Sequence, residues 1–152
     1  MNDHALYQVQ AALAALLQTG FAANVETVAH DRDLQTDPFQ ANELPGVLVR
    51  CTGCESYPSN YQSQQEHNAA FFLDIVTGET VALAIGRRAS QIAAEAHRII
   101  RTDMTLGGKT QPIETVGLGV VEQQGADLGT VSLPLIIKFV TPRDDYTTII
   151  IN

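Results

Sequence analysis

The chain is poor in positive charge. Nine Lys and Arg stand against seventeen Asp and Glu, a formal net charge of −8. An acidic surface repels phosphate backbones, which argues against tight sequence-independent binding of nucleic acid. The imbalance lies mostly in the first half: residues 1–76 carry −7, with Arg32 and Arg50 as their only bases, and residues 77–152 carry −1. Long apolar runs are missing too. None reaches the roughly 18 residues that a membrane span needs, so no membrane partner is expected. No basic segment precedes a hydrophobic run after Met1, so the start does not read as a signal peptide. The expectation is a chain made and folded in a cytoplasm.

Cysteine is scarce. Cys51 and Cys54 form the one C-x-x-C pair, which fits half of a zinc site or a dithiol. A structural zinc site takes about four ligands. His67 is a candidate third, but no second pair follows, and ordinary cysteines are the preferred reading. The catalytic signatures G-x-G-x-x-G, Walker A, H-E-x-x-H and G-x-S-x-G are all absent. His4, His30, His67 and His97 have no metal-ligand spacing between them. Asp31, Asp33 and Asp37 lack the glycine and final glutamate of a calcium loop. The Gly107-Gly108 turn with Lys109 offers loop amides to an anion, but a plain loop after a helix is the simpler reading. No catalytic, cofactor-binding or metal residue is expected, and the chain does not read as an enzyme.

At 152 residues and 45% apolar, one domain spanning 1–152 can bury a core without covalent staples. Leu6, Val9, Leu13, Leu16 and Leu17 recur at helical spacing over residues 4–19. Asn2 or Asp3 is placed to cap that helix, and Gly20 to stop it. Phe21 is expected to fold back on the core. Residues 25–29 and 45–52 read as strands, with an acidic loop at 30–43 between them. Residues 53–68, rich in Gln and Ser, read as a long loop. Residues 69–76 form a strand. A second helix carries the stripe Ile92, Ala93, Ala96, Ile99 and Ile100; its start lies near Thr80 or near Ala89, and Gly86 favours the later one. Residues 116–123 and 130–141 pair as antiparallel strands. Pro134 lacks an amide donor, so it predicts an edge position or a bulge. The tail, 144–152, ends in the apolar residues Ile149 to Ile151. The class is α+β, a mostly antiparallel sheet packed against two α-helices.

The run Asp103-Met104-Thr105-Leu106-Gly107-Gly108 at the end of the second helix gives a more specific signal. Together with the N-terminal helix, the Pro45-Gly46-Val47 strand entry, Glu122 and the closing Phe139-Val140-Thr141, it resembles the tail terminator, or tail completion, proteins of long-tailed phages. That resemblance implies a virion protein of the tail with no enzymatic activity or cofactor. It also implies assembly in the host cytoplasm into a hexameric ring that ends tail-tube growth, with the tube protein and a head–tail connector as partners. DNA would pass through such a ring without sticking to its acidic subunits. The stretch from Tyr57 to Glu66 departs from the family pattern. Only Asp103, Leu106, Gly107 and Gly108 carry over, as structural positions. The alternatives are another connector or baseplate assembly protein, and a small enzyme or ligand-binding domain. Arg87, Arg88, Arg98 and Arg101 cluster locally, and a solvated helix face is the simpler reading of them; as interface candidates they would meet the acidic half of a neighbour head-to-tail, with Pro134 in its apolar strand as a further candidate.

Overall fold

A computed structural model describes residues 3–78, 82–117, 120–124 and 128–151. Two helices lie on one face of a six-stranded, mostly antiparallel sheet, the α+β arrangement expected from the sequence. Helix α1 is Ala5–Phe21 and α2 is Ala82–Thr102. The strands are β1 (Thr27–Ala29), β2 (Gly46–Pro58), β3 (Gln64–Thr77), β4 (Glu114–Thr115), β5 (Val120–Gln124) and β6 (Leu128–Pro142). Their order is β1-β2-β3-β6-β4, and β5 pairs with β6 along the same edge as β4. Among the described residues only β1 and β2 run parallel.

The apolar stripe of α1 is buried as its period predicts, through Val9, Leu13 and Leu17, with Phe21 closing the helix against the core. Its cap is His4, whose Nδ1 accepts the Leu6 N–H at 3.0 Å, in place of the expected Asn2 or Asp3. Gly20 does not stop the helix; it lies inside it. A Cβ at Gly20 would stand 2.5–2.9 Å from three side-chain carbons of Ile99 on α2, so this glycine lets the two helices approach. The second helix begins by Ala82 with Gly86 inside it, which overturns the later start.

The largest correction concerns residues 53–68. The expected loop is the distal half of a hairpin. β2 and β3 stay paired out to Pro58 and Gln65, and β6 flanks β3 as far as Gln64 opposite Pro142. This segment lacks apolar alternation because little packs on it. Backbone pairing holds it in place, β2 to β3 and β3 to β6 in turn, and side-chain pattern does not report that.

Side chains on the helix-facing side of the sheet form the main core with both helices, including Val49, Phe71, Leu73, Ile75, Leu133, Leu135, Ile137 and Phe139. Among the described residues the opposite side is covered at one end, where Phe39 from the 30–45 loop packs on Leu48 and Val76. The tail is tied down. The Ala5 N–H donates to Tyr146 O at 2.6 Å and the Ile150 N–H to Val140 O at 2.9 Å, while Ile149 packs against the main core and Ile151 stays exposed. No helix among the described residues is long and apolar enough to cross a membrane.

Candidate functional site

The Asp103–Gly108 run folds into a tight knot after α2. Leu106, Gly107 and Gly108 take φ of 49°, 72° and 86° in succession, a left-handed path that glycine follows at low cost. The Asp103 carboxylate accepts the Gly107 N–H at 3.0 Å, and Thr105 Oγ1 accepts the Gly108 N–H at 3.2 Å. Leu106 is buried, which anchors the turn. The Thr110 and Ile113 amides then bond back to Thr105 O and Met104 O, at 3.0 and 2.9 Å. The two glycine amides are thus already bonded, and the idea that they cradle an anion beside Lys109 loses its donors.

The four arginines of α2 do not act alike. Arg87, Arg98 and Arg101 are exposed, whereas Arg88 is half-buried and reaches the Asn24 carbonyl at 3.5 Å. Arg98 makes a two-pronged pair with Glu95, at 2.5 and 3.1 Å, which lowers the Glu95 pKa and raises that of Arg98. His97 is half-buried beside them.

Not on an edge strand, Pro134 does lie beside an irregularity of the ladder, where the step from Thr115↔Leu135 to Val120↔Ser132 takes five residues in the partner chain and three in β6. It sits in β6, opposite Phe72 of β3. A strand residue projects its nitrogen and its carbonyl toward the same neighbour. The Pro134 carbonyl takes the Val116 N–H at 3.1 Å, on the side where β4 ends at Thr115 and β5 begins at Val120. The missing donor therefore faces the irregular side of the ladder.

A register shift between Cys51 and Gly53 places Cys51 opposite Phe71 and Cys54 opposite Ala69. Both cysteines therefore share the helix-facing side, although three residues along a regular strand would put them on opposite sides. Both thiols are free, and burial pushes both pKa values up. His67 is engaged elsewhere. Its Nδ1 bonds Ser56 Oγ and its Nε2 bonds Thr141 Oγ1, each at 2.8 Å, while its ring stacks on Phe139 and meets Tyr146 edge-on. Among the described residues no three His, Cys, Asp or Glu are placed to hold a metal.

Sequence reading missed a polar cluster on the open side of the sheet. Asp74, 7% exposed, accepts two hydrogen bonds from Arg50, at 2.7 and 3.2 Å, and one from Ser132 at 2.7 Å. Arg50 also lies over the Phe72 ring, 5.0 Å from its centroid. The signal was Asp74 itself, a lone acid inside an apolar strand. The cluster floors a groove of about 460 Å³ whose far wall is the 30–45 loop. Arg32 braces that loop by bonding Glu43, Asp37 and the Pro38 carbonyl. Hydrogen bonds from Arg32 and the Gln40 amide hold the Glu43 pKa down to about 2. Asp31 and Asp33 lie exposed on the same loop.

No family model matches the chain, and no curated protein matches it. Among solved structures, a chain from the virion of a native gene transfer agent (GTA) particle is similar at a TM-score of 0.43 and 14% identity, covering 89% of this chain and 90% of that one. At that distance the likeness assigns no family.

Proposed function

We propose that the chain is a structural virion subunit that works by assembly and not by catalysis. In this reading it forms a homo-oligomeric ring, a hexamer by resemblance to the phage tail terminators. The ring closes the tail tube and joins it to the head connector. The observation that carries the reading is the Asp103–Gly108 knot. The stretch on which the resemblance rests most specifically is anchored by the buried Leu106 and bonded within itself, which supports a structural role for it. The test is electron microscopy of the purified protein, together with imaging of the head-proximal end of tails in assembled particles. A ring at that end is the expected result. Its absence from finished particles, or its presence only at the baseplate, refutes the tail-terminator role.

A further inference from the structure

The exposed arginines of α2 fall on one line. Residues 87, 91, 94, 98 and 101 follow steps of four and three, so Arg87, Gln91, Ala94, Arg98 and Arg101 form a single ridge. The ridge is roughly 21 Å long at 1.5 Å per residue. All five residues are exposed, and the small Ala94 at mid-ridge leaves room for close approach. Residues 82–102 carry a net charge of +3 in a chain of −8, and residues 30–43 carry −3. The acidic loop lies across the sheet from the helices, because Phe39 covers the side opposite the main core. The two patches therefore cannot neutralise each other within one chain. Among the described residues, Arg87, Arg101, Asp31 and Asp33 enter no salt bridge.

We infer that the α2 ridge docks on the acidic 30–43 loop of a second copy of this chain. The inference rests on the ring reading and supplies its contact. A two-fold pairing of like patches would set arginine against arginine or aspartate against aspartate, which is repulsive. Ridge on loop is attractive and heterologous, and a heterologous contact generates a ring when its rotation closes. The arginines along the ridge face the exposed acids of the neighbour's loop, Asp31 and Asp33 among them. Nucleic acid is the other anionic occupant of such a ridge, but the whole-chain charge of −8 works against it.

Charge reversal tests the contact. One variant carries Arg87→Glu and Arg101→Glu, the other Asp31→Lys and Asp33→Lys. All four positions are exposed, and matching thermal melts check folding. Each variant alone sets like charges at the interface, and its self-association, read by sedimentation, weakens by about tenfold or more. Wild-type association weakens as salt rises. A one-to-one mixture of the two variants recovers assembly, because every contact in an alternating ring is again acid against base. No misfolded chain can be rescued in this way. Wild-type-like assembly of the arginine variant overturns the contact, as does a mixture that stays dissociated, and the ring then stands on some other surface. Duplex DNA binding that is lost with the arginines, without any effect on assembly, makes the ridge a nucleic-acid contact and overturns the proposal. A wild-type chain that is monomeric at every concentration and forms no ring on tails overturns the ring reading and the contact together.

Discussion

Replacing Gly20 by Ala sets two opposing effects against each other inside one helix. Relieving glycine's helix penalty contributes up to about 1 kcal/mol, and less so close to the helix end. Against it stands the new methyl, 2.5, 2.7 and 2.9 Å from Cγ2, Cγ1 and Cδ1 of Ile99. Two of those carbons are bonded directly to Cβ, and a β-branched side chain in a helix has essentially one χ1 rotamer. Ile99 is also 1% exposed, so it has no free space to turn into. The strain must move the helices apart, at an overpacking cost of about 1–3 kcal/mol. Gly20→Ala is therefore expected to destabilise by about 1–2 kcal/mol, a fall in Tm of roughly 2–8 °C for a chain of this size. The assay is urea denaturation of a four-member cycle: wild type, Gly20→Ala, Ile99→Ala and the double variant. Ile99→Ala alone leaves a cavity costing about 2–5 kcal/mol. In that background the methyl added at position 20 fills space and should stabilise, so the sign of the Gly20 substitution inverts. A higher midpoint for Gly20→Ala in the wild-type background, or equal effects in both backgrounds, would refute the close-approach argument.

Gly107→Ala meets nothing within 4 Å, so its cost is the backbone conformation at φ 72° alone; about 1–2 kcal/mol is expected, measured by thermal melting. Arg50→Ala leaves the Asp74 carboxylate, 9% exposed at its side chain, with Ser132 as its remaining side-chain partner. A loss of about 1–3 kcal/mol is expected, and a neutral result in denaturant would mean that water replaces the guanidinium. Burial of His67 and the nearby His4 lower its pKa in the folded chain, so the unfolded chain binds that proton more tightly. The stability it confers is complete above the unfolded value near 6.5 and is lost as pH falls from there through the lower folded value. The stability–pH slope in that window should flatten in His67→Gln, and an unchanged slope would refute the assignment. Glu43 acts lower, where its folded pKa of about 2 against 4.5 makes its contribution present above 4.5 and lost as pH falls toward 2.

Local periodicity decided where the core would be. Val9, Leu13 and Leu17 on α1, Ile92, Ala96, Ile99 and Ile100 on α2, and alternate residues from Val131 to Phe139 on β6 are all buried. Each stripe records which side of its own element avoids water, and that can be read within ten or twenty residues. The Asp103–Gly108 turn was legible for the same reason, since its glycines and its capping side chains are neighbours in the chain. What stayed hidden depends on partners far away in sequence. The distal hairpin is strand because β6, some seventy residues on, lies against β3, and no side-chain alternation marks that pairing. Gly20 looks like a helix stop until Ile99 is placed beside it. Pro134 looks like an edge residue until β3 is set on one side of it and the irregular register between Thr115 and Val120 on the other. Arg50, Asp74 and Ser132 come from three strands and meet only through sheet register. The two cysteines share a side only because one extra residue in β2 shifts that register. A sequence states the preference of each segment, but the company it keeps is set by long-range pairing, whose energy no short window contains.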